Sequence, residues 1–367
     1  MYVERINFSA SFSILFTYRC AFSEQFWSIF MSLKHLLTIE DLTTDSILDI
    51  LNVAEALEHR IVREGFLPPL LRGKCMGMIF DETSLRTRSA FERAMGDLGG
   101  QAIHYNGPEA RIGRHATKKE YLPDFVNVAG RFNDVLMSRI YDFSLQQDIC
   151  RLSPVPFING MCDRHHPTQA LCDILTIRRH FGRVDDLNIA FIGDGTNIAL
   201  SLAQVASRLG ATFTCATPAE MALPVSQTAQ LTGFKATTNV NEALDNAHVV
   251  VADAWIPMNK SHEAEMRREQ LAPYQVNSRL MGIARPDAIF LHNLPAVRGE
   301  EVLPEVIDGP QSLIYQEAVA RLHIARALLL YCLYAQWPAL ANACRQHSPH
   351  DAISAFSMHQ KSGAWHE

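Results

Sequence analysis

The sequence predicts an α/β protein of two parallel-sheet domains bridged by a long C-terminal helix. Three observations lead there. Short apolar runs alternate with helical patterns, the alternation stops at Gly182 and begins again, and residues 314–335 carry one uninterrupted helical pattern. At 367 residues the chain is long enough for two domains of about 150 residues each.

The first series runs CMGMIF, a helix over 84–98, QAIHY, a helix over 119–131, DVLMSRI and VPFING. Pro167, behind His166, suits the first turn of a helix through TQALCDILTIRRHFG, where the missing N–H of proline is no loss. The second series is LNIAFIG, the helix TNIALSLAQVASRLG with Gly210 as its stop, TFTCATP, the short helix NEALDNA, HVVVADAW and DAIFLHNLP. Ahead of both, SLKHLLTIEDLTTDSILDILNVAEAL reads as an amphipathic start with Thr44 or Asp45 as helix cap. The expected divisions are an N-terminal extension over 1–33, domains over 34–165 and 166–313, the bridging helix over 314–336, and a loose polar tail over 337–367. The Phe-rich residues 1–30 are interrupted by Arg19, too short and polar for a membrane span, and lack the marks of a signal peptide.

Hydrophobic content of 48% and charged content of 20% are those of an ordinary globular protein. A net charge of −6 argues against a general nucleic-acid binder. Eight scattered cysteines without a C-x-x-C pair fit reduced thiols in a cytoplasmic protein better than a zinc site or a disulfide framework.

The segment FDETSLRTRSAF (80–91) places Ser84, Arg86, Thr87 and Arg88 at a helix start directly after an apolar strand. Free N–H groups and the positive end of the helix dipole favour an anion there. Arginine adds bidentate, charge-assisted bonds to phosphate oxygens. In open parallel sheets ligands bind beyond the carboxyl ends of the strands. Arg139 after DVLMS, Asn159 after PFI, Asp253 after HVVVA and HNLP after AIFL all fall at such ends, which predicts one shared cleft. IGDGTN (192–197) matches two glycines of a dinucleotide fingerprint, but Ile198 stands where the third belongs, so a tight strand-to-helix turn is the preferred reading.

With these residues the chain resembles the aspartate/ornithine carbamoyltransferase family, most closely its ornithine branch, from about 34 to 336. SLRTR (84–88) stands for the family's S-x-R-T-R, HPTQ (166–169) for H-P-x-Q, DAWIPM (253–258) for D-x-W-x-S-M, and HNLP (292–295) for H-C-L-P, in the family's order. The resemblance implies a carbamoyl-phosphate-binding first domain, an amino-acid-binding second domain and a carbamoyltransferase-like fold. It implies a homotrimer with sites at subunit interfaces, and neither metal nor organic cofactor. Nucleic acid and membrane are not implied as partners. Ser84, Leu85, Arg86 and Thr87 would hold the phosphate. Arg139 and His166, with Thr87, would polarise the carbamoyl oxygen, Gln169 would orient its nitrogen, and Asn293, Leu294 and Arg321 would border the same group. Asn159, Asp253, Pro257 and Met258 occupy the amino-acid-binding positions, and Arg111 lies in a loop expected to reach a neighbouring subunit's site.

Two positions depart from the family pattern. Pro257 replaces a serine and supplies neither hydroxyl nor N–H. Asn293 replaces a cysteine and cannot form a thiolate. The implied reaction is carbamoyl transfer to ornithine or a related diamino acid, giving a citrulline-type ureido product and phosphate. The alternative is a non-catalytic paralogue acting as a binding or assembly subunit. Arg298, past HNLP, is a further candidate for a substrate carboxylate.

Overall fold

The computed structural model describes residues 33–81, 84–106, 120–256, 261–349 and 352–353. Of the expected N-terminal extension, only Leu33 falls among them. Helix α1 (Thr44–Glu64) is capped by Thr43, one residue earlier than expected. The Thr43 backbone is extended and its hydroxyl accepts from the Ser46 N–H, which satisfies one of the orphan donors of the first turn.

The first sheet contains β1 (Cys75–Phe80), β2 (Gln101–Asn106), β3 (Val135–Arg139) and β4 (Phe157–Met161). Its order is β2-β1-β3-β4, and every pairing is parallel. Helices α2 (Leu85–Asp97), α3 (Leu122–Phe132) and α4 (Phe143–Leu152) connect its strands, and α5 (Pro167–Phe181) leads out of it. The second sheet contains β5 (Asn188–Ile192), β6 (Thr212–Ala216), β7 (Phe234–Thr237), β8 (Val249–Ala252) and β9 (Ile289–His292). Its order is β7-β6-β5-β8-β9, again all parallel. Helix α6 (Asn197–Arg208) follows β5, and α7 (Ala264–Leu271) lies between β8 and β9. β7 and α7 escape the sequence pattern for a physical reason. β7 is an edge strand whose residues are half-buried or exposed, and α7 buries only Arg267 and Leu271.

Side-chain alternation along the strands divides the interior into layers. Met76, Met78 and Phe80 of β1 and Ile189 and Phe191 of β5 belong to one central core. Ile79 turns to a smaller core against α3 and α4, while Ala190 and Ile192 turn to another on the far face of the second sheet. The central core is closed by α8 (Ile314–Leu333), which packs against α1, α2, α5 and the end of β9. This is the expected bridging helix.

The stretch expected as a loose tail is corrected over its first part. Trp337–Gln346 forms α9, packed on α1 with Trp337, Leu340, Ala341 and Cys344 buried at helical spacing. Arg345 Nε adds a 2.6 Å bond to Asp49 of α1. No described helix is long and apolar enough to cross a membrane.

A core shared by both sheets predicts shared loss of stability. Leu328→Ala in α8, at a fully buried position, should cost about 2–5 kcal/mol. Urea unfolding followed by circular dichroism should show this as one shifted transition. Separate transitions for two halves would contradict a common core.

Candidate active site

The helix start after β1 is built for an anion. Ser84 caps α2 with an extended backbone and makes no side-chain capping bond, and the first turn contains no acidic residue. The positive end of the dipole is therefore not offset within the helix. Leu85 has its side chain outward, which leaves only its main chain facing the turn, while Thr87 is buried beneath it. Arg139, at the end of the neighbouring β3, donates from Nη1 to Thr87 Oγ1 at 3.3 Å. Half-buried Arg86 is pushed below the ordinary guanidinium range by burial and by the charge of Arg321.

His166 and Gln169 come from the start of α5. The His166 N–H donates to Ser201 Oγ of α6 at 2.9 Å, and its ring Nδ1 lies 3.3 Å from Thr168 Oγ1. Burial, then Arg321 and Arg139, push the His166 pKa well below 6.5. The ring is neutral at neutral pH, and in the tautomer whose Nδ1 accepts the Thr168 hydroxyl the proton is on Nε2, as a donor. Gln169 is fully buried, its Nε2 donating to Asp173 at 2.6 Å and to Glu317 at 2.7 Å. Its Oε1 is buried without a partner among the described residues.

Arg321 rises from α8, one turn after Glu317, and donates from Nη2 to the main-chain oxygen of Asn293 at 2.8 Å. Its buried Nε has no partner among the described residues. The HNLP turn is held by the Leu294 N–H donating to His292 Nδ1 at 3.0 Å and by the His292 N–H donating to Glu317 Oε2 at 2.9 Å. His292 Nε2 lies 3.2 Å from the buried Glu301 carboxylate. Thus the start of α2, the ends of β3 and β9, α5 and α8 each bring residues to one electrostatically connected cluster.

The residues expected on an amino-acid side are less gathered. Asn159 is fully buried, with Nδ2 donating to the Leu37 carbonyl at 2.8 Å and Oδ1 accepting from the Met161 N–H at 2.8 Å. In this structure its amide anchors the end of β4. Asp253 accepts from Thr196 Oγ1 at 3.2 Å and from the Ala254 N–H at 2.7 Å. Its pKa is raised, chiefly by burial, so a neighbouring cation would favour its ionised form. Pro257, Met258 and Arg111 lie outside the described residues. Arg298 is held by Asp308 in a two-bond surface pair at 2.8 and 2.6 Å, so here it faces a carboxylate of its own chain.

The IGDG segment is a tight turn. A Cβ on Gly195 would lie 2.5 Å from the Met221 carbonyl oxygen, and Asp194 pairs with buried Arg267, which also donates to the Trp255 carbonyl at 2.6 Å. Sequence reasoning missed Arg267, Asp173 and Glu317. The last two were detectable as i, i+4 partners of Gln169 and Arg321 on their helices.

Two family models cover this architecture. "Aspartate/ornithine carbamoyltransferase, carbamoyl-P binding domain" matches residues 34–179, and "Aspartate/ornithine carbamoyltransferase, Asp/Orn binding domain" matches 185–332. The ornithine carbamoyltransferase of Caldicellulosiruptor saccharolyticus is 39% identical over 310 residues, 82% of this chain and 99% of that protein. The one from Methanobrevibacter smithii is 38% identical over 310 residues, 82% of this chain and all of that protein. Among solved structures, ornithine carbamoyltransferase from Pyrococcus furiosus superposes with a TM-score of 0.77 at 35% identity, covering 82% of this chain and 97% of that one. The Thermus thermophilus enzyme gives 0.74 at 32%, covering 82% and 99%.

The neutral state of His166 is directly testable. Nitrogen-15 shifts of its ring should keep neutral values as pH falls through 6.5, because the folded pKa is lowered. Such a group makes the fold lose stability with acid, since the unfolded chain takes up the proton first. A ring that titrates at its ordinary value would contradict the arrangement.

Proposed function

The chain belongs to the aspartate/ornithine carbamoyltransferase family and is a carbamoyltransferase, and on that premise we propose that it carries the carbamoyl group of carbamoyl phosphate to the side-chain amine of ornithine or a related diamino acid. The observation that carries this reading is the placement of Arg139 and Arg321 beside a neutral His166, with Arg86 close enough to feel the charge of Arg321. Like charges held this close are unfavourable, and a doubly charged acyl phosphate beside them would relieve the repulsion.

In this reading the phosphate lies against the first turn of α2, on Ser84, Arg86, Thr87 and the Leu85 main chain. The carbamoyl oxygen faces Arg139, Thr87 and His166, and the carbamoyl nitrogen faces Gln169 Oε1. Attack by an amine gathers negative charge on the carbamoyl oxygen, where one fixed donor lowers the barrier by about 2.7–4 kcal/mol. His166 serves as a donor because it is neutral with its proton on Nε2. The attacking amine must be uncharged, whereas a free alkylammonium has a pKa of about 10.4. A positive, dehydrated site favours its deprotonation, and the leaving phosphate accepts the proton. Asp253 would take the amino acid's ammonium group. Asn159, Pro257 and Met258 would line the rest of that pocket, with Asn293 and Leu294 beside the reacting centre.

We also propose the expected domain division, a carbamoyl-phosphate domain over 34–165 and an amino-acid domain over 166–313, and a homotrimer with Arg111 reaching an adjacent site. Support for assembly comes from apolar side chains left exposed in the first domain, Tyr121, Val128 and Phe132, with Ile103 on edge strand β2. A second reading, a non-catalytic binding or assembly subunit, draws on Pro257 and Asn293.

The deciding assay is phosphate release from carbamoyl phosphate against ornithine, N-acylated ornithines, lysine, 2,4-diaminobutyrate and putrescine. Turnover with a diamino acid supports the transfer reading, and silence across the panel favours the second. Arg86→Ala should lower kcat/KM at least a hundredfold while circular dichroism stays unchanged. Near-normal turnover would mean the phosphate sits elsewhere. Pro257→Ser should lower KM for ornithine, and an unchanged KM would remove Pro257 as a specificity determinant.

A further inference from the structure

Gln169 is held from its amide end. Both of its Nε2 bonds go to carboxyl groups, Asp173 Oδ1 on its own helix and Glu317 Oε1 on α8. The two carboxyls therefore converge on one nitrogen, which brings Asp173 and Glu317 within hydrogen-bonding reach of each other. Both are almost fully buried, and Glu317 Oε2 accepts from the His292 N–H. Two ionised carboxylates have only acceptors, so a direct bond between them requires a proton on one.

We propose that Asp173 and Glu317 share one proton, and that the protonated pair acts as a positioning device for Gln169, fixing which end of its amide enters the cleft. The consequence is geometric. With its N–H₂ group consumed by two carboxyls, Gln169 can present only Oε1, the buried oxygen left without a partner among the described residues. An amide oxygen so placed accepts from the N–H₂ of a carbamoyl group and offers nothing to a second acceptor. This deepens the transfer reading and rests on it for the identity of the group that Oε1 faces. Asp173 and Glu317 themselves touch no reacting atom.

The surroundings favour one proton rather than none or two. Burial raises both carboxyls, and the proximity of each to the other raises the pair further, so the pair holds a proton that neither would hold alone. Facing the pair are Arg321 on α8, which favours one negative charge, and Asp253 past β8, which opposes a second. The remaining neighbours are the His292 main-chain N–H and the Cys172 thiol. Burial pushes that thiol's pKa well up, so it stays neutral and donates to the Thr168 carbonyl. The sign follows from raised carboxyl pKa values. Stability is complete below the ordinary carboxylate range, about 3.9–4.3, and declines as pH rises through the folded value and drives off the proton.

The conservative variant separates this role from simple packing. In Asp173→Asn the amide oxygen can still accept from Gln169 and the amide nitrogen can donate to an ionised Glu317, so the geometry persists without the shared proton. Infrared spectra of the full-length wild type with isotope-labelled Asp and Glu should show a protonated carboxyl at neutral pH, and Asp173→Asn should lose it. The affinity of the wild type for carbamoyl phosphate should weaken as pH rises and the proton leaves. Asp173→Asn should flatten that pH profile and stay within a few-fold of wild type at neutral pH, whereas Asp173→Ala should weaken binding about tenfold. Absence of the protonated-carboxyl band, or an Asn variant as impaired as the Ala variant, would overturn the proposal. The infrared experiment needs no substrate. A wild type that shows the band but binds no carbamoyl phosphate would therefore sink the transfer reading and the carbamoyl role of Gln169, while the shared proton stood.

Discussion

Because α8 is packed against α1, α2, α5 and the end of β9, the polar side chains it carries inward need partners there, since an unpaired buried polar group costs on the order of several kcal/mol. The partners come from different elements. Glu317 takes the His292 N–H and the Gln169 amide, and Arg321 takes the Asn293 carbonyl. Arg326 takes Asp97 of α2 at 3.0 Å and lies 3.0 Å from His323 Nδ1, while His323 Nε2 is 3.3 Å from Glu58 of α1. One buried helix thereby fixes the mutual placement of a helix start from the first sheet and a strand end from the second. The site depends on that placement, because none of its donors comes from the same element as all the others.

The same burial sets the electrical character of the site. Guanidinium groups resist deprotonation, so placing Arg86 near Arg321 leaves repulsion that folding must absorb. Histidine can instead give up its charge, and His166 does. In the proposed reading the cluster thus combines fixed cations that attract a phosphate with a neutral donor suited to an oxygen that becomes charged only during reaction. A protonated His166 would add attraction for the ground state as well, and uniform binding of that kind does not raise kcat.

Much of this was legible in the sequence because it is written in periodicity and punctuation. The central strands announce themselves as apolar runs, and Pro167 and Gly182 mark the ends of α5, with Gly182 at a φ of 75° that favours glycine. What escaped is what periodicity does not encode. β7 lies at a sheet edge with little buried surface, and α9 hides its four buried positions in a polar segment. The Asp173–Glu317 pair joins residues 144 positions apart in sequence, too far for any local pattern. Asn159 shows the opposite difficulty. Its place beyond an apolar run suggests a ligand-facing amide, yet an asparagine at a strand end also completes backbone bonds, and here it does so with Leu37 and Met161.

The departure from the family pattern at position 293 has a physical basis in this structure. Position 293 fixes Arg321 through its main-chain oxygen, a contact that any residue type can supply. Its half-buried side chain is therefore free to change from thiol to amide without dislodging the guanidinium. Thr87, His166 and Gln169 have no such freedom. Each is buried, and each contributes through side-chain atoms already engaged with Arg139, Thr168 or the Asp173–Glu317 pair. A change at any of them would strand a buried partner, so it would carry a folding penalty besides a chemical one. Under the proposed reading, a change at position 293 is one this architecture tolerates, and a change at Thr87, His166 or Gln169 is one it resists.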